Sequence, residues 1–318
     1  MRIILNIGMG GREPRAGRAA MLAAACAALA LLAPSAARAV DDPAEGAGDA
    51  TGPLLAVERS LSPLAAAAPL EHGKAFTGDA TTVDPGHVEV ELAYAPAFWT
   101  TAGAVDRAAG DQHALYAAVT VGLLPGLDAR VVSGWALVHA TPVAPGAPGA
   151  GAGPADTMVA ARWRFLSLAE PAVDLAVSVA VTLPTSTPAT PDHLGTGQDA
   201  WSLGGALLAS ADWWRFTASA ELGVSVPASP SPANDAALLA CNAALGYQLL
   251  PWLQPEVELN YQHEVELGPE RDERILWATA ALVMPLDVAR VVVGVRAPIW
   301  SQAAAAGPMA TAAIKLAF

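Results

Sequence analysis

The run from Glu256 to Leu267 alternates without a break. Glu256, Glu258, Asn260, Gln262, Glu264 and Glu266 share one parity, and Val257, Leu259, Tyr261, His263, Val265 and Leu267 share the other. A period of two residues is that of a β-strand and gives the stretch one polar and one apolar face. A helix would scatter both sets around its circumference. Ala172 to Leu183 repeats the pattern, with Val173, Leu175, Val177, Val179, Val181 and Leu183 opposed to Asp174, Ala176, Ser178, Ala180 and Thr182. His87 to Tyr94 does the same.

Twelve such segments follow one another, at roughly 86–98, 112–123, 127–139, 157–168, 172–183, 200–210, 214–226, 236–248, 253–266, 274–284, 288–300 and 308–318. Their connectors alternate in length. Short turns lie at Leu124-Pro125-Gly126, Ala169-Glu170-Pro171, Ala211-Asp212-Trp213, Leu249-Leu250-Pro251-Trp252 and Pro285-Leu286-Asp287. Longer Gly/Pro/Asp-rich loops lie at 99–111, 140–156, 184–199, 227–235, 267–273 and 301–307. Outer-membrane barrels have this asymmetry, with tight periplasmic turns and longer extracellular loops. An even strand count places both ends of the barrel on the periplasmic side.

A soluble sandwich or lipocalin-like barrel has the same period with its apolar face inward. Three features favour lipid. Segments of about 9–13 residues match a tilted bilayer span, against about 5–6 for a common soluble strand. The strands are rich in Ala, Val and Leu, within a chain that is 53% hydrophobic and only 15% charged, where about 25% charged is usual. Tryptophans cluster at segment ends, at Trp99, Trp201, Trp213, Trp214, Trp252 and Trp300, where interfacial girdles are expected. Trp135, Trp163 and Trp277 lie further inside their segments. The expected fold is all-β, a twelve-stranded antiparallel up-and-down transmembrane β-barrel over 86–318.

The residues before it divide in two. Arg12, Arg15 and Arg18, the apolar run Ala19–Ala33 and Ala37-Arg38-Ala39 have the layout of a secretory signal peptide cleaved near Ala39. Residues 40–85 read as a flexible, acidic, Ala/Pro-rich segment, with Phe76-Thr77-Gly78-Asp79 ordered against the barrel. Of two cysteines only Cys241 remains after cleavage, which leaves no intramolecular disulfide. A net charge of −13 argues against a nucleic-acid partner.

If the apolar face meets lipid, the other parity lines the lumen. The candidate lining residues are Glu89, Glu91, Arg130, Arg162, Arg164, Asp174, Arg215, Glu221, Glu256, Glu258, Glu264, Glu266, Arg290, Arg296 and Lys315, with Asp128 and Arg274 beside them. Acids and bases nearly balance, which fits an ion-paired network better than a selectivity ring of one sign. The acids of 256–266 face Arg290 and Arg296, two strands on. Such a lining serves a translocation path or fills a closed barrel, and the residues alone leave both open.

No catalytic constellation is present. His263 and Ser133 sit on the apolar parity, as a lipid-facing hydrolase would require, but no serine-hydrolase motif surrounds them, and the six histidines have no metal-ligand spacing. Neither an enzyme nor a cofactor is expected.

The stretch Phe76-Thr77-Gly78-Asp79-Ala80-Thr81-Thr82-Val83-Asp84-Pro85-Gly86-His87-Val88-Glu89-Val90-Glu91, with Leu183-Pro184-Thr185-Ser186-Thr187, Asp199-Ala200-Trp201-Ser202 and the terminal Phe318, resembles a family of Gram-negative barrels labelled "MetA-pathway of phenol degradation" or transporter. The resemblance implies passive passage of small, aromatic or hydrophobic molecules and carries over no substrate-binding residue. An alternating last strand ending in Phe318 resembles the assembly signal of outer-membrane barrels, which implies the barrel assembly machinery as a partner beside membrane lipid and a small solute. The alternative is a structural or surface-interaction barrel with an occluded lumen. An inserted N-terminal segment or a folded-in loop 140–156 would mark a gate or plug.

Overall fold

A computed structural model of the chain describes residues 75–100, 109–141, 149–169, 172–190, 193–197, 200–228, 236–266, 273–286, 289–302 and 307–318. The expected signal peptide and residues 40–74 lie outside the described residues, as do the side chains of Trp99 and Glu266.

The strands are β1 (Val88–Thr100), β2 (Ala109–Leu124), β3 (Leu127–Ala140), β4 (Ala150–Pro154), β5 (Thr157–Ala169), β6 (Ala172–Leu183), β7 (Ser202–Trp213), β8 (Phe216–Pro227), β9 (Ala236–Tyr247), β10 (Gln254–Glu266), β11 (Glu273–Pro285), β12 (Ala289–Gln302) and β13 (Met309–Ala317). Consecutive strands pair antiparallel, except that β3 pairs with both β4 and β5; β1 pairs with β13, and the circle closes into a 12-stranded barrel. Closure satisfies every strand edge, as a sheet in hydrocarbon requires. At the seam Phe318 N donates to Val88 O at 2.9 Å, and Val88 N returns the bond at 3.1 Å. The five tight connectors and both barrel ends lie at one rim.

The loop expected over 140–156 is in part a strand. Ala150–Pro154 pairs with Trp135–His139, and after a break at 155–156 Met158–Trp163 pairs with Leu127–Val132 of the same β3. β4 is thus the outer extension of β5. Its Ala-Gly-Ala-Gly-Pro sequence has no polar side chains to alternate with apolar ones, so periodicity could not register it. Its buried face is covered by the β6–β7 connector. A Cβ on Gly151 would collide with Leu194 O, and one on Gly153 with Thr187 Oγ1.

Exposure follows parity. On β10, Glu256, Glu258, Asn260 and Gln262 are buried, while Val257 and Leu259 are 59% and 53% exposed. Leu203, Leu207, Val224, Leu282, Val293 and Val295 are likewise exposed. An apolar exterior around a charged interior inverts a water-soluble barrel and fits a lipid bilayer, where outward polar groups are costly. Trp213, Trp214 and Trp252 lie at the tight-turn rim, and Trp201 and Trp300 near the loop rim, all exposed. Trp163, interior to its segment, pairs with Leu127 at the β2–β3 turn. Strand stagger therefore brings it level with that rim. Trp277 points inward and is 2% exposed.

Candidate functional site: a lumen lined by the chain's own N-terminal segment

Ala75 to Val83 run inside the barrel. Ala75, Thr77 and Ala80 are 1%, 1% and 0% exposed. The stretch Phe76-Thr77-Gly78-Asp79 lies within this buried run, which extends from Ala75 to Ala80. The segment joins no strand ladder, so its N–H groups need other acceptors. The inward acids and hydroxyls supply them. Glu258 Oε1 accepts from Ala75 N at 2.7 Å, and its two oxygens accept from Phe76 N at 3.1 and 3.0 Å. Thr77 Oγ1 donates to Glu258 Oε2 at 3.0 Å. Gly78 N donates to Glu221 at 2.8 Å, Ala80 N to Ser210 Oγ at 2.9 Å and Val83 N to Asp128 at 3.0 Å. The acceptors lie on β10, β8, β7 and β3 in turn, so the segment forms a belt along the wall in the half nearer the tight turns. Hydrogen bonds to charged groups contribute about 1.5–3 kcal/mol each.

The belt is fixed at both ends. At its start the Arg296 guanidinium lies 4.2 Å from the Phe76 ring centroid and 4.6 Å from that of Trp277, with Nε and Nη2 toward Met309 Sδ. Apolar packing of Ala75 and Phe76 on Ala281, Val283, Val292 and Ala313 adds to this. At its far end Arg162 donates to Asp79 O at 3.0 Å and to Asp128 at 2.6 Å. Gly122 admits the backbone of Val83 and Asp84, because a Cβ there would strike both carbonyl oxygens.

The expected lining residues divide by location. Glu258 pairs in register with Thr279, and Thr279 with Arg296, which sets acid and base on one row two strands apart. Glu91 bridges Arg130 at 3.2 Å and Lys315 at 3.5 Å, and Lys315 also reaches Glu89 at 3.5 Å. Arg164 meets Asp174 at 3.6 Å. Glu256 is buried, and Gln254 donates to it at 3.3 Å. Glu264 and Arg290 are half-buried on the inward parities of β10 and β12. Two residues depart from expectation. Arg215 occupies the β7–β8 turn, exposed, with its guanidinium 5.9 Å from the Trp214 ring centroid. The turn needs two residues that strand parity had counted as strand. Arg274 lies on the outward parity of β11 and donates to His263 at 3.2 Å. Ser133 Oγ, on β3, accepts from Thr157 at 3.1 Å, while His263 lies on β10.

The half of the lumen nearer the loops is less charged. Ala95, Ala97, Ile275, Trp277 and Met309 pack as one cluster with Tyr116 against it. Two polar atoms here were not anticipated: Trp277 Nε1 and Gln112 Oε1 are buried with no hydrogen-bond partner. No pattern in sequence marks a missing partner.

No family model matches the chain, and no curated protein matches it by sequence. In structure it is similar to an outer membrane channel from Pseudomonas putida F1, with a TM-score of 0.62 and 13% identity, covering 77% of this chain and 100% of that one. It also aligns with the beta domain of the Bordetella autotransporter BrkA (TM-score 0.49, 12% identity, 73% and 100% covered) and with KdgM porin (TM-score 0.43, 10% identity, 72% and 99% covered). The first likeness establishes the fold as a closed antiparallel barrel of the outer-membrane type.

Proposed function

We propose that the chain is an outer-membrane channel-like barrel for passive passage of small aromatic or hydrophobic molecules, gated by residues 75–84. The observation that carries this reading is how the belt is held. Its backbone bonds side chains of Glu258, Glu221, Ser210 and Asp128 rather than a strand ladder, so it can leave without opening the wall. The apolar cluster above it favours an apolar solute. The resemblance of 76–91 to the phenol-degradation barrels points the same way. Outer-membrane residence, cleavage near Ala39 and delivery through the Phe318 strand to the assembly machinery complete the proposal.

The buried pairs Arg162–Asp128 and Arg130–Glu91 favour a second reading, a permanently occluded structural barrel. Single-channel recording in planar bilayers separates the two. The gated channel gives rare or small steps in the full mature chain and larger, frequent ones after deletion of residues 40–84. A deletion variant that inserts, shifts on a gel when heated and stays silent would establish occlusion.

A further inference from the structure

The outer wall has a groove of about 590 Å³ across β8 to β12. Its row is set by register: Leu245 pairs with Val257, Val257 with Ala280, and Ala280 with Val295. Ala280 has the smallest side chain of the row and forms the floor. Five strands at about 4.8 Å spacing give a length of roughly 19 Å, the scale of an extended acyl chain. The groove is inclined. At one end are Phe216, the first residue of β8, and Tyr247, the last of β9, both at the tight-turn rim. At the other is Val295, well inside β12.

The rim end has a polar head. Arg215 precedes Phe216 and is exposed, with its guanidinium over the Trp214 ring. Trp214 lies 6.1 Å from Phe216 and 6.3 Å from Tyr247, centroid to centroid. It is 80% exposed and has φ 56. The two-residue hairpin turn calls for a positive φ, which a bulky residue rarely adopts. Here it raises an indole beside the cation at the level where aromatic belts meet headgroups.

We propose that Arg215 and the Ala280-floored groove form a binding site for one anionic phospholipid, with the phosphate at Arg215 and an acyl chain along the groove. A cation at the interface joined to an apolar track into the hydrocarbon is the complement of that molecule and of no water-soluble anion. Arginine suits the phosphate because its planar fork donates two parallel bonds. The site rests on the membrane setting proposed above, which insertion into vesicles tests separately.

Native mass spectrometry tests it, on the mature protein released from micelles containing dioleoyl phosphatidylglycerol. Three variants are compared: Ala280→Trp, which fills the floor; Arg215→Gln, which removes the cation; and Val179→Trp, a lipid-facing control on β6. A gel shift on heating confirms that each is folded. One retained lipid per wild-type molecule is expected, with occupancy unchanged in Val179→Trp. Apparent affinity should fall about tenfold in Arg215→Gln, the loss of one charge-assisted contact, and at least as far in Ala280→Trp. Equal retention by all four proteins overturns the site. So does loss in Ala280→Trp with none in Arg215→Gln, because the groove would then hold apolar matter with no headgroup contact. Ala280→Leu, a smaller filling, gives the same reading if the tryptophan variant misfolds.

Discussion

The Phe76 ring centroid lies 4.2 Å from the Arg296 guanidinium, inside a barrel whose wall separates the two by most of the chain. Arg296 is 2% exposed, and a desolvated cation–π contact contributes about 2 kcal/mol. Phe76→Ala should therefore release the start of the belt while leaving the strand ladders intact. Hydrogen exchange measured by mass spectrometry should show amides 75–80 exchanging roughly tenfold faster or more, with β6–β8 unchanged. Glu258→Gln should act alike, because a neutral amide replaces the carboxylate that accepts from Ala75, Phe76 and Thr77. Unaltered exchange in both variants would mean that the belt is held elsewhere.

The Arg162–Asp128 pair, at 2.6 Å and with side chains 5% and 2% exposed, has a different signature. Removing one partner leaves a buried charge alone, at a cost of about 3–5 kcal/mol. Arg162→Met should destabilise by that amount in urea titrations of the folded barrel in vesicles. The double variant Arg162→Met/Asp128→Leu should recover much of the loss. Additive losses would show that the pair is not coupled.

Facing is tested by neighbours on β6. Val179 is 58% exposed on the outer wall, and Val179→Arg should cost about 2–4 kcal/mol if it meets the bilayer midplane. Ala180→Ser, one residue on and inward, should change little. Similar effects from both, read from the urea midpoint, would contradict the assigned faces.

Gly122 and Gly205 form a contrasting pair, Gly122 on the inward parity of β2 and Gly205 on the outward parity of β7, opposite Val179. A Cβ at Gly122 would strike the carbonyls of Val83 and Asp84, whereas at Gly205 the nearest atom is Ser178 O at 3.7 Å. Gly122→Ala should push the belt off β2 and lower the temperature of the gel shift. Gly205→Ala should leave it unchanged or raise it. The opposite order would indicate that the segment does not pass Gly122.

The wall was legible because alternation is local: each of Glu256–Glu266 declares its face through its immediate neighbours. Twelve strands, their order and the alternation of connectors all follow from that. Long-range relationships were not legible. Gly78 bonds Glu221 across 143 positions and Ala75 bonds Glu258 across 183, and nothing near residues 75–80 names those partners. The acids of β10 were read against Arg290 and Arg296. The row through Thr279 agrees for Arg296, while the hydrogen bonds show Glu258 also serving the belt. Arg215 was misplaced because alternation runs through a two-residue turn as smoothly as through a strand. Trp163 appeared mid-segment because stagger between strands is invisible one strand at a time.

The belt precedes the first strand in the chain, and the seam that encloses it joins that strand to the last. Val88 meets Phe318 across the whole span of the barrel sequence. The lining can be laid down while the seam is open or drawn in afterwards through a rim, since no strand ladder ties it to the wall. The segment that lines the wall thus precedes all the strands that enclose it. Contacts of such sequence separation form slowly, so the rate-limiting event in maturation should be the closing of β1 on β13. A wall that closes first would take the segment in through a rim, with Glu258, Glu221 and Asp128 receiving its N–H groups last.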